Sequence, residues 1–120
     1  MKLQFEGQKL RLRIDEDELA GLLAGASVRA HTRVADAFEM ACTVRLSEAS
    51  DASIEGAVGD WFVHLPQALV SELAMRLPTR DSLSFEVAAR DVAGDLSLQF
   101  DVDVRDSARR LKASRNAHAS

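Results

Sequence analysis

Six side chains able to recognise charge or move a proton, Arg11, Arg13, Arg29, His31, Arg33 and His64, fall on alternate positions of short apolar–polar segments. Guanidinium groups fork onto carboxylates and phosphates through paired N–H donors. Imidazoles titrate near neutral pH and serve as acid–base groups. If the segments are strands, these residues share the non-core side with Arg45, and later segments add Glu86, Asp101 and Asp103. Two readings follow from that spacing. One is an anion-binding face; the other is a solvated sheet face crossed by ion pairs, each contributing about a few tenths of a kcal/mol.

Other chemistry finds less support. A metal site built on His31, His64 and an aspartate needs neighbours across a sheet that a single sequence does not fix, so no metal ligand set is assigned. The acids Asp15, Glu16, Asp17 and Glu18 fan around a helix start, where they complement the helix dipole. There is no exposed serine elbow of the Gly-x-Ser-x-Gly kind and no Gly-Lys-Ser/Thr phosphate loop, hence no catalytic residue and no cofactor. The lone Cys42 is in phase with apolar neighbours and reads as a buried, inert thiol. With 5% aromatic residues and no tyrosine, the chain lacks a stacking platform for single-stranded nucleic acid.

The elements that must position these residues are legible in the hydrophobic period. Leu3 and Phe5, a turn at Gly7, then Leu10, Leu12 and Ile14 describe a hairpin with one wet face. Asp15, with Glu18 three residues on, opens a short helix carrying Leu19, Leu22 and Leu23 and stopping at Gly25. Val28 to Val34 and Met40 to Leu46 make a second hairpin. After the polar connection 47–53 the order repeats. Ile54 to Val58 and Trp61 to Leu65 form a hairpin, Pro66 opens a helix with Leu69, Val70, Leu73 and Leu77, and Leu83 to Ala89 and Leu96 to Val104 complete the set.

The expected fold is therefore α+β, a mostly antiparallel sheet of about eight strands with two short helices on one face. Segments 1–46 and 54–104 read as repeated hairpin–helix–hairpin units: a shift of 51 sets Leu12 on Val63, Ile14 on Leu65, Leu19 on Val70 and Leu22 on Leu73. At 120 residues and 47% hydrophobic content, one globular domain over 1–104 is expected. Segment 105–120 is expected to be a basic, flexible tail, with five basic residues against one acid; it carries +4, leaving −8 on the preceding residues of a chain whose net charge is −4. An acidic body repels phosphates, which argues against nucleic acid as a partner.

The single cysteine suits a reducing compartment, and no apolar run reaches the length of a signal peptide or membrane helix, so a cytoplasmic location without a membrane partner is expected. The stretch 2–14, the acidic helix, the exit Gly25-Ala26-Ser27-Val28, the segment 61–66 and the strand ending at Val104 together resemble a family of small bacterial proteins without assigned function. The resemblance supplies no catalytic or binding residues. Members of that family end in an acidic segment with aspartate and proline, whereas this chain ends in Arg109-Arg110-Leu111-Lys112.

The function expected from these features is a non-catalytic binding or accessory module whose open sheet face meets a protein partner or a second copy. The alternative is a small enzyme or sensor for an anionic metabolite, using the arginines for charge and His31 or His64 for proton transfer. A concave pocket enclosing two of the arginines favours the second reading, and a flat, ion-paired face the first. Past Val104 only Leu111 is large and apolar, so truncation there should leave the melting temperature within a few degrees. A large loss in a thermal melt would show that the tail docks on the domain.

Overall fold

The structure, a computed structural model, describes residues 1–89 and 93–104, and the basic tail lies outside the described residues. The elements, in chain order, are β1 (Lys2–Glu6), β2 (Lys9–Ile14), α1 (Glu16–Leu23), β3 (Val28–Val34) and β4 (Phe38–Ser47), then β5 (Ser53–Ala57), β6 (Asp60–Pro66), α2 (Gln67–Met75), β7 (Leu83–Ala88) and β8 (Asp95–Val102). Local chemistry explains their ends. Asp15 accepts the Glu18 amide at 2.7 Å while the Glu18 side chain takes the Asp15 amide, a capping box that satisfies two orphan donors of α1. Gly7 turns the first hairpin at φ +56°. No helix among the described residues is long and apolar enough to cross a membrane.

The fold class is α+β, as the periodicity implies, with the eight strands divided between two four-stranded sheets ordered β1-β2-β8-β7 and β3-β4-β6-β5. Each sheet joins a hairpin of the first half to a hairpin of the second. At the join the strands run parallel: β2 along β8, and β4 along β6. Exchanging each element for its counterpart turns the first sheet order into the second, so the topology is two-fold symmetric. The registers agree residue by residue. Leu12 faces Phe100 as Val63 faces Val44, and Ile14 faces Val102 as Leu65 faces Leu46.

A two-stranded hairpin is marginal alone, and the central strands here gain neighbours on both sides only because the halves interlock. Their inner rows merge with the helices into one core holding Leu10, Leu12, Leu19, Val44, Val63 and Phe100. Two backbone bonds extend the β2–β8 ladder at its ends, Ser97 N to Gln8 O at 2.9 Å and Asp103 N to Ile14 O at 2.8 Å. At the mouth of the core, Phe5 packs on Trp61 with ring centroids 6.3 Å apart, which ties the two sheets together. Gly56 faces Trp61 across β5–β6; a Cβ there would come within 2.6 Å of the Asp60 carbonyl and 2.8 Å of Trp61 Cα, so only glycine fits.

Three expectations change on inspection. The one mostly antiparallel sheet is two mixed sheets, because each hairpin of the first half pairs in parallel with one of the second. Leu69 is 36% exposed, and α2 buries Val70 and Leu73 alone. Asp101, in phase with the wet side, is only 6% exposed because two arginines cover it. From the sequence, Arg11→Ala and Asp101→Ala should each cost well under half of a core truncation. With the burial known, Leu12→Ala, Leu98→Ala and Phe100→Ala should each lower the unfolding free energy by about 2–5 kcal/mol, and Arg11→Ala by about 1 kcal/mol. Asp101→Ala should fall between, since it leaves two guanidinium groups that water still reaches. Urea melts test this order; equal losses for Leu12→Ala and Arg11→Ala would mean that the strand phase is reversed.

Candidate functional site

On β2 the buried residues Leu10, Leu12 and Ile14 alternate with Lys9, Arg11 and Arg13, so strand geometry alone sends the arginines to the outer face. Register then sets Arg13 opposite Asp101 and Arg11 opposite Gln99 on β8. Arg11 donates Nε and Nη2 to Asp101 Oδ2 at 3.0 and 2.6 Å, and Arg13 donates Nε to Oδ1 at 3.0 Å. One buried carboxylate thus holds two guanidinium groups, whose side chains remain 40% and 41% exposed. These are charge-assisted bonds, shorter and stronger than neutral ones.

A groove of about 600 Å³ lies over this clamp, lined by Lys2, Arg11, Arg13, Arg80, Gln99 and Asp101 among others. A second hollow of about 250 Å³ continues along the same face past Gln4, Lys9, Ser84 and Ser97. Gln99 is itself held, donating Nε2 to Ser82 Oγ at 3.0 Å. Asp81 on the groove wall accepts from Arg76 at 3.0 Å, which removes it as a competitor for the groove cations. Lys2 and Arg80 form no ion pair among the described residues.

The other candidate residues stand on the second sheet. Arg29 reaches Asp60 at 3.8 Å across β4, His31 and Arg33 share Glu39 at 3.5 and 3.7 Å, and His64 meets Glu55 at 2.7 Å. Arg45 lies over the Phe62 ring, 4.9 Å from its centroid. The alternation therefore assigned these side chains correctly to outer faces but joined into one face what the structure divides. Arg11 and Arg13 come together; Arg29, His31, Arg33 and His64 do not join them, because β2 pairs with β8 and β3 with β4. His31 and His64 are kept apart on β3 and β6 by the intervening β4.

Sequence reasoning did not single out Lys2, Gln99 or Arg80. Lys2 and Gln99 were available from strand phase, but Arg80 sits between α2 and β7, where no period operates. Among the described residues no three histidine, cysteine, aspartate or glutamate side chains converge as metal ligands would. Comparison with protein-family models, with curated proteins and with solved structures finds no match to this chain.

Cys42 is fully buried beside Val44 in the core, and burial pushes its thiol from an ordinary 9.0 up to about 12. Thiolate is the reactive form, so the native protein should resist thiol reagents at pH 8 and react once urea unfolds it. The unfolded chain loses this proton above about pH 9 while the folded chain keeps it to about pH 12, so Cys42 contributes a stability loss as pH rises through that window. Urea melts at stepped pH should show a shallower alkaline decline for Cys42→Ala than for the parent. Rapid native labelling at pH 8 would contradict the assignment.

Proposed function

We propose that this chain is a sensor or binding module for an anionic metabolite, the second of the two readings without its proton-transfer step, and that its working surface is the outer face of the β1-β2-β8-β7 sheet, where the groove takes the anionic group of the ligand. The observation that carries the reading is the concave site over Arg11 and Arg13, with Lys2 and Arg80 on its walls. Asp101 orients the two guanidinium groups before a ligand arrives, and such preorganisation lowers the entropic cost of binding. Arg11 has five N–H donors and uses two on Asp101. Its remaining donors serve a second acceptor.

The balance of charges sets the strength. Four cations, Lys2, Arg11, Arg13 and Arg80, meet three acids on the lining, Asp81, Asp101 and Asp103, and the first of these acids is engaged by Arg76. A single charge at 4 Å gains about 4 kcal/mol gross at the effective dielectric of a protein surface, before desolvation and screening are subtracted. Net affinity for a small anion should accordingly lie in the range of about 0.1–1 mM at low salt. Proton transfer does not enter the reading, since His31 and His64 stand on the other sheet, each against a glutamate.

Isothermal titration at low ionic strength with inorganic phosphate and, separately, malonate tests the proposal and tells phosphate from dicarboxylate recognition. One of the two should bind, Arg80→Ala and Lys2→Ala should each weaken it severalfold, and Arg11→Ala should remove it with the fold intact by circular dichroism. Arg33→Ala, on the second sheet, should change nothing. Absence of heat with both anions, or equal binding by Arg11→Ala, would overturn the reading.

A further inference from the structure

We infer that the edge of β3, which pairs with no further strand among the described residues, is a docking edge for an extended, acidic segment of a partner protein, which joins the β3-β4-β6-β5 sheet as an added strand. An edge strand presents unpaired N–H and C=O groups, and proteins usually blunt such edges by keeping them short or bulged. With seven residues, β3 is longer than the other edges β1, β5 and β7, of five, five and six. Its two rows of side chains differ in chemistry. Arg29, His31 and Arg33 make the outer row, with side chains 56%, 53% and 72% exposed. Ala30, Thr32 and Val34 make the other, which runs out past the core: Val34 is 42% exposed and its register partner Phe38 51%.

The polar contacts on the outer row are long and shared. Arg29 meets Asp60 at 3.8 Å, and one carboxylate, Glu39, serves both His31 and Arg33. Exposed pairs of this kind contribute about 0–1 kcal/mol, so an incoming acidic residue competes with them readily. A second copy of β3 is the wrong occupant. Antiparallel pairing centred on His31 would set Arg29 against Arg33 of the other copy, and like charges directly opposed are destabilising. A segment alternating acidic and apolar residues satisfies both rows at once, its acids beside the arginines and its apolar side chains beside Val34, while backbone bonds supply the strand pairing. The inference is independent of the groove, which lies on the other sheet.

The probe is a labelled nine-residue peptide alternating valine and glutamate, with a valine–lysine peptide of equal length as its opposite. Fluorescence anisotropy with the full chain should show binding of the glutamate peptide alone. Arg33→Glu, at a position exposed enough to leave the fold unchanged, should weaken it about tenfold, and Arg29→Glu provides an independent second variant. Hydrogen exchange by NMR should show β3 amides slowed on binding. Equal binding of the two peptides, indifference to both charge reversals, or slowed exchange around Arg11 and Arg13 in place of β3 would overturn the inference.

Discussion

The carboxylate of Asp101, held by Arg11 and Arg13, ties together residues about ninety positions apart in the chain. A parallel pair such as β2 and β8 has no hairpin to bring it together and must be closed over a long loop, so its register needs a separate determinant. Alternation supplies one part. A slip of one residue would carry Asp101 into the core and Phe100 into water. The clamp supplies the other, because with Asp101 opposite Arg13 its carboxylate is bonded by both guanidinium groups. An ion pair of this kind is a weak source of stability, and it lies where the chain has no local determinant of register. The same contact builds the floor of the groove.

The two-fold topology shows what is particular to this sheet. In the second sheet the place of Asp101 beside Arg13 is taken by Arg45 beside His64, and that of Arg11 beside Gln99 by Phe62 beside Thr43. Where one sheet has a carboxylate under two cations, the other has a cation over a phenyl ring. The inner rows of the halves are interchangeable aliphatic residues that fill a common core. Their outer rows differ in arrangement: one forms a groove over a carboxylate clamped by two arginines, the other a basic row along an edge strand. Packing explains the inner rows fully and says nothing of the outer ones, and the functional reading rests on that division.

Much of this was legible in the residues. The capping box at Asp15 and Glu18, the alternation of Leu10, Leu12 and Ile14 and the matching of Leu19 with Val70 all depend on local chemistry, and all appear in the structure as buried or capping groups. What was not legible depends on which strands meet. Nothing near Ile14 says that its neighbour is Val102, 88 positions away. For the same reason the outer arginines read as one face, and Asp101 read as wet although Arg11 and Arg13 cover it. Thr43, with a buried hydroxyl that finds no hydrogen-bond partner among the described residues, is a similar case: strand phase sends it outward, and its neighbours in register, Arg29 and Phe62, lie on either side of it. Long arginine side chains folded over a sheet remove small residues from water in a way that period alone does not reveal.

The central claim is that the Arg11–Asp101–Arg13 clamp is the floor of an anion site and not only a staple between β2 and β8. Amide chemical shifts recorded during titration with phosphate or malonate at low salt test it most directly, because they report the place of binding even when affinity is weak. The account predicts saturable shifts confined to Lys2, Arg11, Arg13, Arg80 and Gln99, with β3 unmoved. Shifts confined to Arg29, His31 and Arg33, or none at all, would contradict it.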